Sequence, residues 1–138
     1  MTKNGDSDAA PAPALEQEGG VVLCRAGGHR LAFFARQVVA IELWAKGGRT
    51  ASHARQAFAL PPEDGRVLLA ETGPGVVVDA IEVASEPPAL LPAPLMLLGG
   101  AGGALRGFLS MGNELWPVLR LPEFSRFLAS SAPAGETA

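Results

Sequence analysis

The chain has one cysteine, two histidines and no cluster of lysine and arginine anywhere in its 138 residues. A single cysteine excludes an intrachain disulfide. Its place in the apolar run VVLC marks Cys24 as a small buried hydrophobe, a usage that fits the cytoplasm. Eleven basic residues against fourteen acidic ones give a formal net charge of -3 with no basic patch. That leaves no electrostatic footprint for nucleic acid or acidic lipid, and nucleic acid is not expected as a partner. Neither His29 nor His53 stands four residues from a second ligand, so no metal site is spelled out and surface or packing roles are expected. Residues 1–18, MTKNGDSDAAPAPALEQE, lack an apolar segment behind a basic start, which excludes a secretory signal and reads as a disordered leader. Pro87 to Leu105 holds no charge and is long enough to raise the question of a membrane span, but four prolines and four glycines would break such a helix repeatedly. A buried or semi-extended connector is expected there, with no membrane insertion.

What is present is apolar and heavily punctuated. The chain is 48% hydrophobic with seventeen glycines and twelve prolines, a balance that favours short strands joined by turns over long helices. Its length suits one domain, placed at residues 19–128, followed by a flexible tail at 129–138. Val21 to Arg25 and Arg30 to Phe34 read as a hairpin turning at Gly27-Gly28. Gln37 to Trp44 reads as a third strand, buried on one face through Val39, Ile41 and Leu43. Ser52 to Leu60 has the look of a short helix, with Ser52 as its cap, Pro61-Pro62 as its stop and Ala54, Ala57 and Phe58 inward. Arg66 to Thr72 and Val76 to Ala84 form a second hairpin around Gly73-Pro74-Gly75. Leu105 to Leu121 forms the clearest one, alternating strands around Gly112-Asn113. Leu121, Phe124, Phe127 and Leu128 then fall at helical spacing after Pro122, a residue suited to a first helical turn.

The patterns that suggest chemistry fail on detail. The run GGAGGALRG from Gly99 to Gly107 lacks the Gly-Lys-Ser/Thr of a phosphate loop, and a strand follows it where a helix would be needed. Ser52, Ser85 and Ser110 lack the setting and the neighbouring base of a nucleophile. Asp79, Glu82 and Glu86 are close in sequence, but Asp79 and Glu82 have opposite strand parity and point to different sheet faces, so solvated or edge charge is expected. No enzyme and no cofactor is expected from these residues.

Three stretches taken in order resemble the CheW-like domain, the adaptor family that couples chemoreceptors to the histidine kinase CheA. VVLCRAGGHRLAFFARQVVAIEL is similar to the family's opening hairpin and its V-x-x-I strand, with Val38 and Ile41 in those positions. RVLLAETGPGVVVDAIEVA resembles the central hairpin, and LRGFLSMGNELWPVLRLPEF the last hairpin with its entry into a terminal helix. The resemblance covers most of Val21 to Leu128. It implies an all-β chain with short helices, folded as two intertwined five-stranded β-barrels around a shared core. It also implies no active site. The family works through protein-binding surfaces, one for the kinase and one for the receptor tip.

One departure stands out. The family carries, after the V-x-x-I strand, a stretch ending in N-x-R-G-x-x-x-P-V-x-D-L, and here Glu42-Leu43-Trp44 runs almost directly into KGGRTASHARQAFALPPEDG. The first barrel is therefore expected to be truncated, with Trp44 filling the gap. The family's basic signalling residue would pass to Lys46 or Arg49. Val38, Ile41, Val77, Leu105 and Phe108 are the apolar candidates for partner contact. The resulting expectation is a non-enzymatic cytoplasmic adaptor or scaffold in a chemosensory pathway, clustered with receptor arrays. Its partners would be a methyl-accepting chemoreceptor, a CheA-type histidine kinase or both, with part of the usual partner set lost. The alternative is a β-barrel interaction subunit of another signalling or motility complex.

Overall fold

The computed structural model describes residues 20–45, 50–82, 89–93, 95–97 and 100–130. Its strands are β1 (Val21–Ala26), β2 (His29–Phe34), β3 (Ala40–Trp44), β4 (Ala51–His53), β5 (Gly65–Leu69), β6 (Gly75–Val78), β7 (Ala80–Glu82), β8 (Ala89–Pro92), β9 (Leu105–Met111) and β10 (Glu114–Leu119). A single distorted turn, α1 (Gly100–Gly103), and the closing helix α2 (Leu121–Ser130) complete them, with short 3-10 segments between. The chain is therefore mainly β with short helices. The strands form a six-stranded sheet ordered β7-β1-β2-β10-β9-β8 and a four-stranded sheet ordered β3-β5-β6-β4.

Two hairpins form where the turn residues demand them. Gly27 and Gly28 both take positive φ, and β1 pairs with β2 from Ala26↔His29 to Val21↔Phe34. Gly112 alone takes positive φ at the second turn, where β9 meets β10. The expected strand from Val76 to Ala84 is two strands that belong to different sheets. β6 pairs with β5 and β4, while β7 crosses to pair with β1. Asp79 stands at the crossover and is held from three directions. Its amide donates to the Arg25 carbonyl at 2.8 Å, and its carboxylate accepts from the Gly27 amide at 2.7 Å and the Arg55 guanidinium at 2.6 Å.

The segment read as a helix over Ser52–Leu60 is a strand followed by a 3-10 turn. Ala51–His53 pairs in parallel with Gly75–Val77, so its backbone is committed to the sheet, and Ala54–Phe58 then winds to a stop at Ala59, which takes φ 59°. Ser52 is thus a strand residue, and Ala57 is exposed where an inward position was expected. The apolar connector also contains a strand: β8 pairs with β9 from Ala89↔Ser110 to Pro92↔Gly107. Gly107 permits this approach, since a Cβ there would stand 2.5 Å from the Leu91 carbonyl oxygen. Helix α2 runs to Ser130, two residues past the expected domain boundary.

Strands β1 and β2, inside the six-stranded sheet, are buried on both faces, which is why they read as nearly continuous apolar runs. Cys24, Leu31 and Phe33 face a core completed by Leu68, Val76 and Val78 of the smaller sheet and by Leu121, Phe124 and Leu128 of α2. Leu23, Ala32 and Phe34 point the other way, to a second core with Leu109, Trp116 and Val118. The smaller sheet curls on itself. The ring of Trp44 on one edge strand meets that of His53 on the other at 4.5 Å, edge to face. Val67, Val77 and His53 are successive cross-strand partners and share the inner face of this curl. The curl is tight enough that a Cβ on Gly75 would come within 2.3 Å of a Val67 methyl.

Candidate functional site

The residues expected to meet partners are distributed between surface and core. Lys46 and Arg49 lie outside the described residues. Val77 is 2% exposed inside the curled sheet, so it is a core residue and cannot meet a partner in the folded chain. Val38 and Leu105 are half-buried and pack against the first core. Ile41 and Phe108 reach the surface, and each is part of a larger apolar area whose other members were not among the candidates.

The first area is a stripe on β3. Val39 precedes the strand, and with Ile41 and Leu43 it follows the alternation that puts side chains on one sheet face. That face is continuous with the core face of the sheet, because Ile41 is the cross-strand partner of buried Leu68. The sequence expectation had these three residues buried, and the correction is that they are 61%, 43% and 78% exposed. The cause is position. The packing of α2 and β1 reaches β4 and β6, whereas β3 is the far edge of the sheet. Among the described residues β3 has a strand neighbour on one side only.

The second area lies across β8, β9 and β10. Leu91 pairs with Phe108, and Phe108 pairs with Pro117, so the three share a face of the six-stranded sheet. Leu115, two residues before Pro117, extends that face and is 53% exposed. Leu91 is also exposed, and Met96 stands almost fully in solvent just beyond β8. Leu91 escaped sequence reasoning because it lies in a connector without alternation. Val39 and Leu43 escaped it because parity gives the face of a strand and says nothing of what covers that face.

Several titratable groups are paired across the strands. Arg25 pairs with Glu82, and Arg30 pairs with Glu114 at 3.6 Å. Both guanidinium groups also stand over the Trp116 ring, at 5.1 Å and 6.0 Å from its centroid, an arrangement that shields the second core with charge. Glu82 is an edge charge, on the outermost strand of the six-stranded sheet and paired with Arg25, whereas the expectation of a solvated or edge charge is corrected for Asp79, which is partly buried in an ion pair with Arg55. His29 stacks on Phe58 with ring centroids 3.9 Å apart. Burial pushes the Cys24 thiol up to about 12, with Glu82 adding to the shift, so the thiolate is suppressed. His53 is pushed the other way, below the ordinary histidine value, by burial first and by Arg55, against an opposing pull from Asp79. Among the described residues no group of three or more His, Cys, Asp or Glu side chains could hold a metal ion, and no helix is long and apolar enough to cross a membrane.

No protein-family model matches the sequence, and no curated protein matches it.

Proposed function

We propose that this chain is a non-enzymatic adaptor of a chemosensory pathway, built as a shortened member of the CheW-like type and linking chemoreceptors to a CheA-type histidine kinase. The observation that carries the reading is the pair of separate apolar surfaces, the β3 stripe and the Leu91/Phe108/Pro117 face, on two different sheets. An adaptor needs two such surfaces to hold two partners at once. In this reading the two sheets are the paired barrels, sharing the wall made by β1 and β2. Among the described residues the smaller sheet has four strands, and in this reading it is the shortened barrel. The protein would act in the cytoplasm beside receptor arrays, with the shortened half retaining only part of the usual contacts.

The test is a reconstitution with a chemoreceptor cytoplasmic fragment and a CheA-type kinase. The full chain is expected to co-sediment with at least one of them, and Leu115→Glu is expected to weaken that association without changing the circular dichroism spectrum. Failure of the unaltered chain to bind either partner would overturn the proposal.

A further inference from the structure

We infer that Arg25 and Arg30 form a two-armed site for a phosphoryl dianion, which binds where the Glu114 carboxylate stands. The site lies on the opposite face of the six-stranded sheet from Leu115 and Pro117, because Trp116 beneath it comes between them along β10. It does not depend on the chemosensory reading.

The two arginines are direct cross-strand partners in β1 and β2. Like charges placed opposite each other repel, and one guanidinium would be enough to cover the Trp116 ring, yet both are laid over it at 5.1 Å and 6.0 Å. Their inner nitrogens are committed. Arg25 Nε donates to Glu82, and Arg30 Nε donates to the Leu115 carbonyl at 3.1 Å. The terminal amino groups of both arginines have no hydrogen-bond acceptor among the described residues. The anion beside them is Glu114, 3.6 Å from Arg30, an ion pair too long to be a hydrogen bond. Its charge also reaches Arg25. That arginine is held above its ordinary pKa first by the Glu82 hydrogen bond and further, against the opposing effect of burial, by the charges of Glu82 and Glu114. An anion at the position of the Glu114 carboxylate therefore faces both guanidinium groups. The Arg25 and Arg30 side chains are 32% and 37% exposed, so a ligand reaches them from solvent. The Trp116 indole N–H, in the ring that both of them cover, is likewise without an acceptor.

Charge and the number of oxygens select the ligand. A carboxylate brings one charge and two oxygens, which Glu114 already supplies, so a free carboxylate only exchanges with it. A phosphoryl group brings a charge of about −1.5 to −2 at pH 7 and three acceptor oxygens. That is enough for both forks to bond it at once, in the paired geometry that guanidinium and phosphate share. Glu114 is 45% exposed, and a surface ion pair of this kind holds weakly, so its carboxylate moves into solvent as the dianion enters. Glu82 stays on Arg25 Nε and keeps that fork in place. Free phosphate and a phosphorylated side chain of another protein carry the same chemistry.

The experiment titrates the full nitrogen-labelled chain at pH 7.5 and constant ionic strength with sodium phosphate, with sodium acetate, and with a short phosphoserine peptide beside its unphosphorylated form. The Trp116 indole N–H and the Nε–H groups of Arg25 and Arg30 are the reporters. Phosphate is expected to shift all three along one saturable curve, with acetate binding about tenfold more weakly. A phosphopeptide that binds more tightly than phosphate identifies a phosphorylated side chain as the source, and one that binds no more tightly identifies the free ion. Glu114→Gln removes the competing carboxylate and should tighten phosphate binding several-fold. Arg30→Lys keeps the charge but loses the fork, and should weaken binding about fivefold. Arg66→Met, at an exposed arginine of the smaller sheet, should change nothing. Acetate binding as tightly as phosphate, shifts that follow ionic strength alone, or equal binding of the unphosphorylated peptide would overturn the assignment. So would an unchanged affinity in Glu114→Gln, because the four charges would then be a structural ion-pair network and nothing more.

Discussion

Asp79 joins the two sheets through one carboxylate and one amide. It receives the Gly27 amide from the β1–β2 turn and the guanidinium of Arg55 from the 3-10 segment, while its own amide donates to β1. Asp79→Ala leaves the turn amide without its acceptor and the Arg55 guanidinium with its bond to the Pro61 carbonyl in place of two. Hydrogen bonds to a charged group contribute about 1.5 to 3 kcal/mol each, less where solvent reaches them, so a loss of about 2 kcal/mol is expected in urea unfolding. His53 gives a second residue-scale outcome. Its Nδ1 is buried without a hydrogen-bond partner, and burial together with Arg55 favours the neutral ring. The folded pKa therefore lies below the unfolded value of about 6.5. The stability that depends on the neutral ring is complete above that value and is lost as pH falls through the folded pKa. Thermal melts are expected to lose several degrees between pH 7.5 and pH 5. His53→Gln, which cannot titrate, should show a smaller loss over that range.

At the scale of elements, hairpins were legible and edges were not. Gly27-Gly28 and Gly112-Asn113 announce their turns because local chemistry dictates backbone sign there, and α2 follows from the helical spacing of Leu121, Phe124 and Leu128. β8 was hidden because its residues are extended only by virtue of β9, and nothing in ALLP alternates. The division of Val76–Glu82 between two sheets was hidden for a related reason: the break is made by groups at Arg25, Gly27 and Arg55, far away in sequence. Gly107 shows how close β8 lies. Gly107→Ala would drive a Cβ into the Leu91 carbonyl, and overpacking against backbone typically costs about 1 to 3 kcal/mol. Hydrogen exchange should report the effect as faster exchange across the β8–β9 ladder, with β1 and β2 changed little. The β3 stripe belongs to the same class of misreading. Alternation correctly placed Val39, Ile41 and Leu43 on the core-facing side, but an edge strand can extend past the core it faces.

The whole molecule is organised by one sheet serving two cores. Phe33 and Phe34 are neighbours in sequence and point into different clusters, so neither core can come apart without disturbing the wall of the other. A large-to-small change in either is expected to shift one shared transition. Trp116→Ala removes the largest fully buried side chain, in the second core, and such truncations cost about 3 to 5 kcal/mol. Calorimetry should show a single peak moved to lower temperature, with near-ultraviolet signals from Trp44 lost in the same step. Two resolved peaks would mean that the cores are independent.

The sequence by itself determined the class of fold, the three hairpin turns, the closing helix and the burial of Cys24. Each of these depends on residues close together along the chain, where backbone preference and periodicity act directly. Only the tertiary structure decided that Val77 is buried, that Asp79 and Glu82 are paired, and that the stripe on β3 and the face around Phe108 are open to solvent. Those outcomes depend on which strand lies at an edge and which helix reaches far enough to cover it. They are properties of long-range pairing, and no local pattern of polar and apolar residues carries them.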